Sequence, residues 1–254
     1  MVKFMEKIPH QTAEILIHND IVHGFFGRAG GVSKGIYASL NACLHKGDED
    51  SNIHENRRRI CKTMGISHMV TLRQVHKNDV LVVDADTPNG YQKDAMVTKT
   101  PGRLLAIQTA DCAPILLADP IAGVVGGIHA GWRSAVAGIV QTTIEAMQSL
   151  GAKKESMSAV IGPCIHQVNY EVGQEVFDQA KSPDFFIPSN RAGYYLFDLG
   201  GYVMNDLNNQ KLNHVAVLPL NTYTLENQYF SYRRSCHRQE SSCGGQLSVI
   251  GLTK

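Results

Sequence analysis

Residues 103–130 read RLLAIQTADCAPILLADPIAGVVGGIHA, and this stretch decides the fold class. Arg103–Thr109, Ile115–Ala118 and Gly123–His129 are short apolar runs closed by Asp, Pro or Gly, the pattern expected of buried strands. The apolar stretch Ala113–Ile128 is interrupted by Asp119-Pro120 and is too short to span a bilayer, so it reads as two strands around a turn. Just downstream the period changes. Val136, Ile139, Val140, Thr143 and Met147 fall on one helical face of the segment Ser134–Leu150, and Gly151 supplies a stop.

Working outward, residues 52–64 (NIHENRRRICKTM) predict a polar surface helix, and Val80–Val83 a short strand ended by Asp84, Asp86 and Pro88. Residues 23–41 (HGFFGRAGGVSKGIYASLN) hold too much glycine for a helix and read as a structured loop. Beyond the central stretch, Ala159–Gly162, His214–Leu218 and Gln246–Leu252 read as strands. Val172, Val176, Phe177 and Ala180 trace a second amphipathic helix. Strands and helices mix without strict βαβ alternation, which favours an α+β fold. With no linker, repeat or low-complexity tract, residues 1–254 are expected to form a single domain.

The composition is that of a globular protein, 43% apolar and 19% charged. A net charge of +1, from 24 basic against 23 acidic side chains, supplies no field for nucleic acid or acidic membranes. The first twenty residues lack the apolar core of a secretory signal, and the six cysteines form no Cys-x-x-Cys pair. Both features point to reduced thiols in the cytoplasm.

Three strand ends carry metal-capable side chains: His76 in RQVH, Cys112 in TADC and His129 in IHAGWR. Imidazole and thiolate suit zinc, and three protein ligands leave a fourth position for water or substrate. The competing reading is a packed thiol and two hydrogen-bonded histidines, since separations of 36 and 17 residues match no local metal motif. HExxH, a Walker loop, GxGxxG and Gly-x-Ser-x-Gly are all absent.

The ordered motifs GRAGGVSKGIYASLN, HKGDED, ENRR, RQVH, DAMVT, TADCAPILLAD, HAGWR, IGPCI, YEVGQEV and FSYRR resemble the YfiH/YlmD family. That family is variously labelled laccase-domain proteins, polyphenol oxidases and peptidoglycan-editing factors. The resemblance runs from Phe25 to Arg234. It implies mixed β-sheets forming a sandwich flanked by helices, with zinc held by His76, Cys112 and His129. It also implies a purine nucleoside phosphorylase acting on adenosine, inosine, guanosine and methylthioadenosine, with adenosine deaminase activity. The chain departs from the family pattern at Ser134 after HAGWR, at Asn221-Thr222, and at Cys243-Gly244-Gly245. The last two bear on substrate contacts near the C-terminus.

Phosphorolysis needs an anion clamp, and Arg28, in its glycine setting, is the first choice for phosphate. Arg28, Cys112 and His129 form the expected catalytic set. Asn41, His45 and Asp48 are candidate contacts to ribose or phosphate, with a hydrogen-bonded turn as the alternative. Arg57 is the member of the Arg57-Arg58-Arg59 run expected to turn inward, and Trp132 is a candidate platform for a purine. Asp111 either orients a ligand or caps a turn. Cys164 reads as a packed thiol, and Arg233 and Arg234 as weaker phosphate candidates. Three other functions stay open: a copper-dependent phenol oxidase, a metal-free hydrolase using Cys112 and His129, and a factor editing cell-wall precursors. A multicopper site commonly gathers imidazoles in His-x-His pairs, which this chain lacks, although copper could displace zinc in vitro. The oligomeric state stays open.

Overall fold

The computed structural model describes residues 8–44, 47–180 and 182–254. In chain order the strands are β1 (His10–Gln11), β2 (Ile21–Phe26), β3 (His68–Thr71), β4 (Val80–Val82), β5 (Ala95–Thr98), β6 (Arg103–Thr109) and β7 (Ala113–Asp119). They continue with β8 (Val124–Ala130), β9 (Ser158–Ile161), β10 (Glu171–Gly173), β11 (Phe186–Pro188), β12 (Tyr194–Phe197), β13 (His214–Val217) and β14 (Gln246–Leu252). The helices are α1 (Asp50–Met64), α2 (Trp132–Val136), α3 (Ile139–Ser149), α4 (Gln174–Ala180), α5 (Leu199–Asn209) and α6 (Tyr232–His237).

Two mixed sheets dominate. One runs β1-β2-β14-β6-β3, with β3 parallel to β6 and the other pairs antiparallel. The other runs β13-β9-β7-β8-β5-β4, parallel only at its two outer pairs. A small antiparallel sheet, β10-β12-β11, stands apart from them.

Side-chain alternation shows how the large sheets stack. Leu105 and Ile107 of β6 pack with Leu116 and Ala118 of β7 and with Ile250 of β14, which fills the space between the sheets. Their neighbours Leu104 and Ala106 face the other way, onto Ile60 and Met64 of α1. On the far side, Ile115 and Leu117 of β7 pack with Ile139, Val140, Ile144 and Met147 of α3 and Leu199 and Val203 of α5. The architecture is a mixed β-sandwich with helices on its outer faces. Covering both faces of β6, β7 and β8 explains why their sequences are continuous apolar runs rather than alternating ones.

Several expected elements differ from the structure: residues 23–26, read as loop, belong to strand β2, and His76, expected at a strand end, lies on the loop between β3 and β4. The segment Ser134–Leu150 forms two helices rather than one, because Gly138 sits at φ +83 and ends the first path. Gly151 terminates α3 at φ +106, as expected. Val172 belongs to strand β10, paired with Tyr195, and the helix begins only at Gln174. No helix among the described residues is long and apolar enough to cross a membrane.

Candidate metal centre

His76, Cys112 and His129 converge at the rim of the sandwich, their ligand atoms all within 4.8 Å of one another. Each reaches this point by a different route. His129 is the penultimate residue of β8. Cys112 closes the tight turn between β6 and β7, beside the Ala113–Ala130 pair. His76 lies on the loop after β3, its ring edge-on to that of His129 with centroids 4.7 Å apart.

The backbone at two of these places is unusual. His76 has φ +59 and Asp111 has φ +93, a region that side chains seldom enter unless the surroundings hold them there. Fully buried Asp94 supplies the hold for His76. Its carboxylate accepts the N–H groups of Val75, His76 and Lys77 at 2.8–3.1 Å. Asp111 is held by a segment more than a hundred residues further along the chain. Its carboxylate accepts the hydroxyls of Thr222 and Ser231 and the N–H of Arg233. These bonds tie the turn that carries Cys112 to the segment 222–233.

Asp94 also acts on His129, accepting its Nδ1–H at 2.8 Å, while the Asp94 carbonyl accepts the His129 backbone N–H. Fixing the proton on Nδ1 leaves Nε2 as the ligating nitrogen. Burial alone would lower the pKa of His129. The Cys112 sulfur and the Asp94 carboxylate outweigh it and raise the imidazole to about 9. Asp94 itself is held below the usual carboxylate range. Its burial works against this, but the bonds from His129, Lys77 and His76 prevail.

Gly131 makes the convergence sterically possible. A Cβ there would lie 2.5 Å from His76 Nδ1 and 3.2 Å from Cys112 Sγ. Ser134, at the position where the chain departs from the family motif, donates to the carbonyls of His129 and Gly131 and ties this corner together. Two imidazoles and a thiolate, oriented by a buried carboxylate and unobstructed by a side chain at Gly131, fit a zinc ion with an open coordination position.

Comparison with known proteins agrees with this architecture. Residues 22–253 match the family described as "Multi-copper polyphenol oxidoreductase laccase". The chain is 39% identical to a Deinococcus radiodurans protein named purine nucleoside phosphorylase, covering 92% of this chain and 90% of that one. Its structure is similar to that of YlmD from Geobacillus stearothermophilus, with a TM-score of 0.86, 30% identity and coverage of 95% and 94%. A Neisseria meningitidis protein gives a TM-score of 0.86 at 31% identity, covering 96% of this chain and 99% of that one. The chain belongs to the YfiH/YlmD laccase-domain family.

The other residues singled out from the sequence lie at varied places in this family fold. Arg28 donates through Nε to the Ala38 carbonyl and through Nη1 to that of Glu226, with its guanidinium 4.5 Å over the Phe230 ring. No carboxylate ion-pairs with it among the described residues. Phe230 precedes Ser231, so Arg28 packs directly behind the anchor of the Cys112 turn. Asn41 is fully buried. Its side-chain NH2 donates to Asp48, and its side-chain oxygen accepts the N–H groups of Cys43 and Gly245, so this pair closes a loop as a hydrogen-bonded turn would. His45 lies outside the described residues. Trp132 begins α2 and is half-buried, with the Arg133 guanidinium 4.1 Å above its ring.

Arg57 turns inward, as expected, but onto the Ala42 carbonyl and Gln108 rather than into the metal cluster. Arg234 is buried and donates to the carbonyls of Thr222, Tyr223 and Tyr229, a structural role. Arg233 donates to the Glu171 carbonyl and lies 5.3 Å over Tyr170. Burial pushes the Cys164 thiol up to about 12, as befits a packed thiol. Sequence reasoning missed Asp94 and Gly131. The only local signal for Asp94 was an acid immediately before an apolar strand, in DAMVT.

Proposed function

We propose that the chain is a zinc-dependent purine nucleoside phosphorylase acting on adenosine, inosine, guanosine and methylthioadenosine, and that it also deaminates adenosine. The observation that carries this reading is the convergence of His76, Cys112 and His129 around Asp94 and Gly131, in a chain whose relatives include proteins named purine nucleoside phosphorylase. Its partners in this reading are nucleosides and phosphate, and it works in the cytoplasm, where its six cysteines stay reduced.

Phosphorolysis joins a phosphate oxygen to the anomeric carbon of ribose and breaks the glycosidic C–N bond. The electron pair of that bond leaves with the purine, which takes up a proton. A bound zinc supplies Lewis acidity and the means to activate water near neutral pH. The protein's part is positioning. Asp94 holds His129 in one tautomer, and Asp111 holds the turn that presents Cys112. Arg28, a cation without a carboxylate ion-pair partner among the described residues, clamps the phosphate. Trp132 with Arg133 stacked on it offers a flat cationic surface for the base. Asn41 and Asp48 shape the loop that carries Arg28.

The test is chromatography of adenosine reactions run with and without phosphate, on protein prepared in metal-free buffer and reconstituted with zinc. Phosphate-dependent release of adenine is expected, together with some inosine. Adenine release that ignores phosphate would overturn the reading. The family description supports one other candidate, oxidation of phenols by copper, since the same donors accept copper. Oxygen uptake with a phenol by copper-loaded protein, exceeding the zinc-dependent phosphorolysis rate, would favour it instead.

A further inference from the structure

We propose that the cleft between α1 and the edge strand β3 is a second ligand site, separate from the metal centre, that takes a phosphorylated small molecule of nucleoside monophosphate size. The cleft encloses about 660 Å³, within the usual range for small-molecule sites. None of its lining residues belongs to the His76–Cys112–His129 cluster.

Its construction follows from two periodicities. His54, Arg57, Arg58, Cys61 and Lys62 lie three or four residues apart and share one face of α1, forming the wall. Met69 and Thr71 alternate along β3 and share one side of that strand, forming the floor with Ile66 and Ser67 just before it. β3 ends the order of its sheet, so among the described residues no further strand covers this edge. Asn89 closes the far end, its side-chain Oδ1 accepting both the N–H and the hydroxyl of Thr71.

The charge of the lining is one-sided. Two arginines and a lysine contribute, and no carboxylate lines the cleft. The nearby acid, Glu55, binds Arg58 and Arg59 and is drawn down to about 2 by them. Arg57 is the decisive member. It is partly buried, its guanidinium donates only to neutral oxygens of Ala42 and Gln108, and no carboxylate pairs with it among the described residues. Burial accordingly depresses its pKa. A cation removed from water without a counter-charge is unfavourable, and an incoming anion relieves it.

Several cations on one helical face suit a multiply charged group better than a carboxylate, and a phosphomonoester carries about −1.5 to −2 with three acceptor oxygens. Met69, Ile66 and Cys61 give the rest of the ligand an apolar bed, while Ser67 and Asn89 offer polar contacts at its edge.

The experiment is calorimetric titration of the full-length protein with adenosine 5′-monophosphate, with inorganic phosphate and adenosine as separate arms. The wild type is expected to bind the nucleotide more tightly than phosphate alone. The charge-reversing pair Arg58→Glu/Lys62→Glu should weaken nucleotide binding about tenfold or more, whereas His76→Ala should leave it unchanged. Both substituted positions on α1 are exposed, and thermal melts check folding; Arg58→Gln/Lys62→Gln provides a milder version with the same expected direction. Loss of nucleotide binding in His76→Ala with retention in the α1 variants would place the ligand at the metal centre and overturn the proposal. Absence of nucleotide binding, or equal affinity for inorganic phosphate, would overturn it as well.

Discussion

His129 Nδ1 donates to Asp94 Oδ1 across 2.8 Å, and the same buried carboxylate accepts three consecutive N–H groups at residues 75–77. One acid therefore sets the tautomer of one candidate ligand and the backbone of another. Asp94→Asn keeps the shape but turns one carboxylate oxygen into an NH2 group, which cannot accept these bonds. Zinc affinity is expected to fall about 10- to 100-fold, read by chelator competition, with circular dichroism unchanged. An affinity within twofold of wild type would show that Asp94 does not orient the ligands.

The metal itself gives the most direct test. Protein purified without chelator should carry about one zinc per chain, and Cys112→Ala should lose the metal and phosphorolysis together. Elemental analysis checks the first statement. Full zinc retention by Cys112→Ala would remove Cys112 from the ligand set.

Gly131→Ala probes the packing around the ligands without altering any donor. Its methyl group would sit 2.5 Å from His76 Nδ1. Because His76 is exposed on a loop, the collision should displace the imidazole rather than unfold the sheet, so metal content falls while the melting temperature shifts by only a few degrees. A variant with normal zinc content and activity would mean that the His76 loop yields freely.

Arg28 separates the two proposed activities. Phosphorolysis uses phosphate and deamination does not, so Arg28→Ala should raise the inosine-to-adenine ratio from adenosine at every phosphate concentration. Arg28→Lys keeps the charge but not the planar fork and should fall between. An equal decline in both products would assign Arg28, with its bonds to Ala38 and Glu226, a purely structural role.

His23 predicts a loss of stability in mild acid. Burial, reinforced by nearby His10, lowers its pKa from 6.5 to about 4, and the neutral ring accepts the Ala13 N–H. Below pH 6.5 the unfolded chain takes up a proton that the folded chain refuses until about pH 4. Stability thus falls as pH drops through this window, by about 1.4 kcal/mol per pH unit at the steepest. Denaturant titrations of wild type and His23→Gln compare the slopes. His23→Gln can still accept from Ala13 but does not titrate, so its slope should be shallower by about one proton; identical slopes would sink the assignment.

The central strands were legible because burial on both faces leaves a local mark, an apolar run closed by Asp, Pro and Gly. Strand β6 begins and ends where its sequence predicts, and β14 does as well. The break at Gly138 was less legible, since the apolar period of Ser134–Leu150 continues across it and only the left-handed backbone interrupts the helix. Val172 was misplaced for a related reason. An apolar residue three or four positions from others fits a helix, and its pairing with Tyr195 is visible only once the chain has returned.

The candidate site divides along the same line. The sequence alone determined that Cys112 and His129 stand beside the ends of β7 and β8, because side-chain chemistry and strand termination are local properties; His76, expected at a strand end too, lies instead on the loop after β3. The sequence did not determine that Asp94 would be their common partner, or that Gly131 would leave room for them. Those facts depend on which strand ends meet in space. Pairing of β5 with β8 sets Ala95 against Ile128 and so carries Asp94 beside His129, and the β7–β8 hairpin carries Gly131 beside Cys112. Register between distant segments follows from packing the whole sandwich, and no window of the chain contains that information.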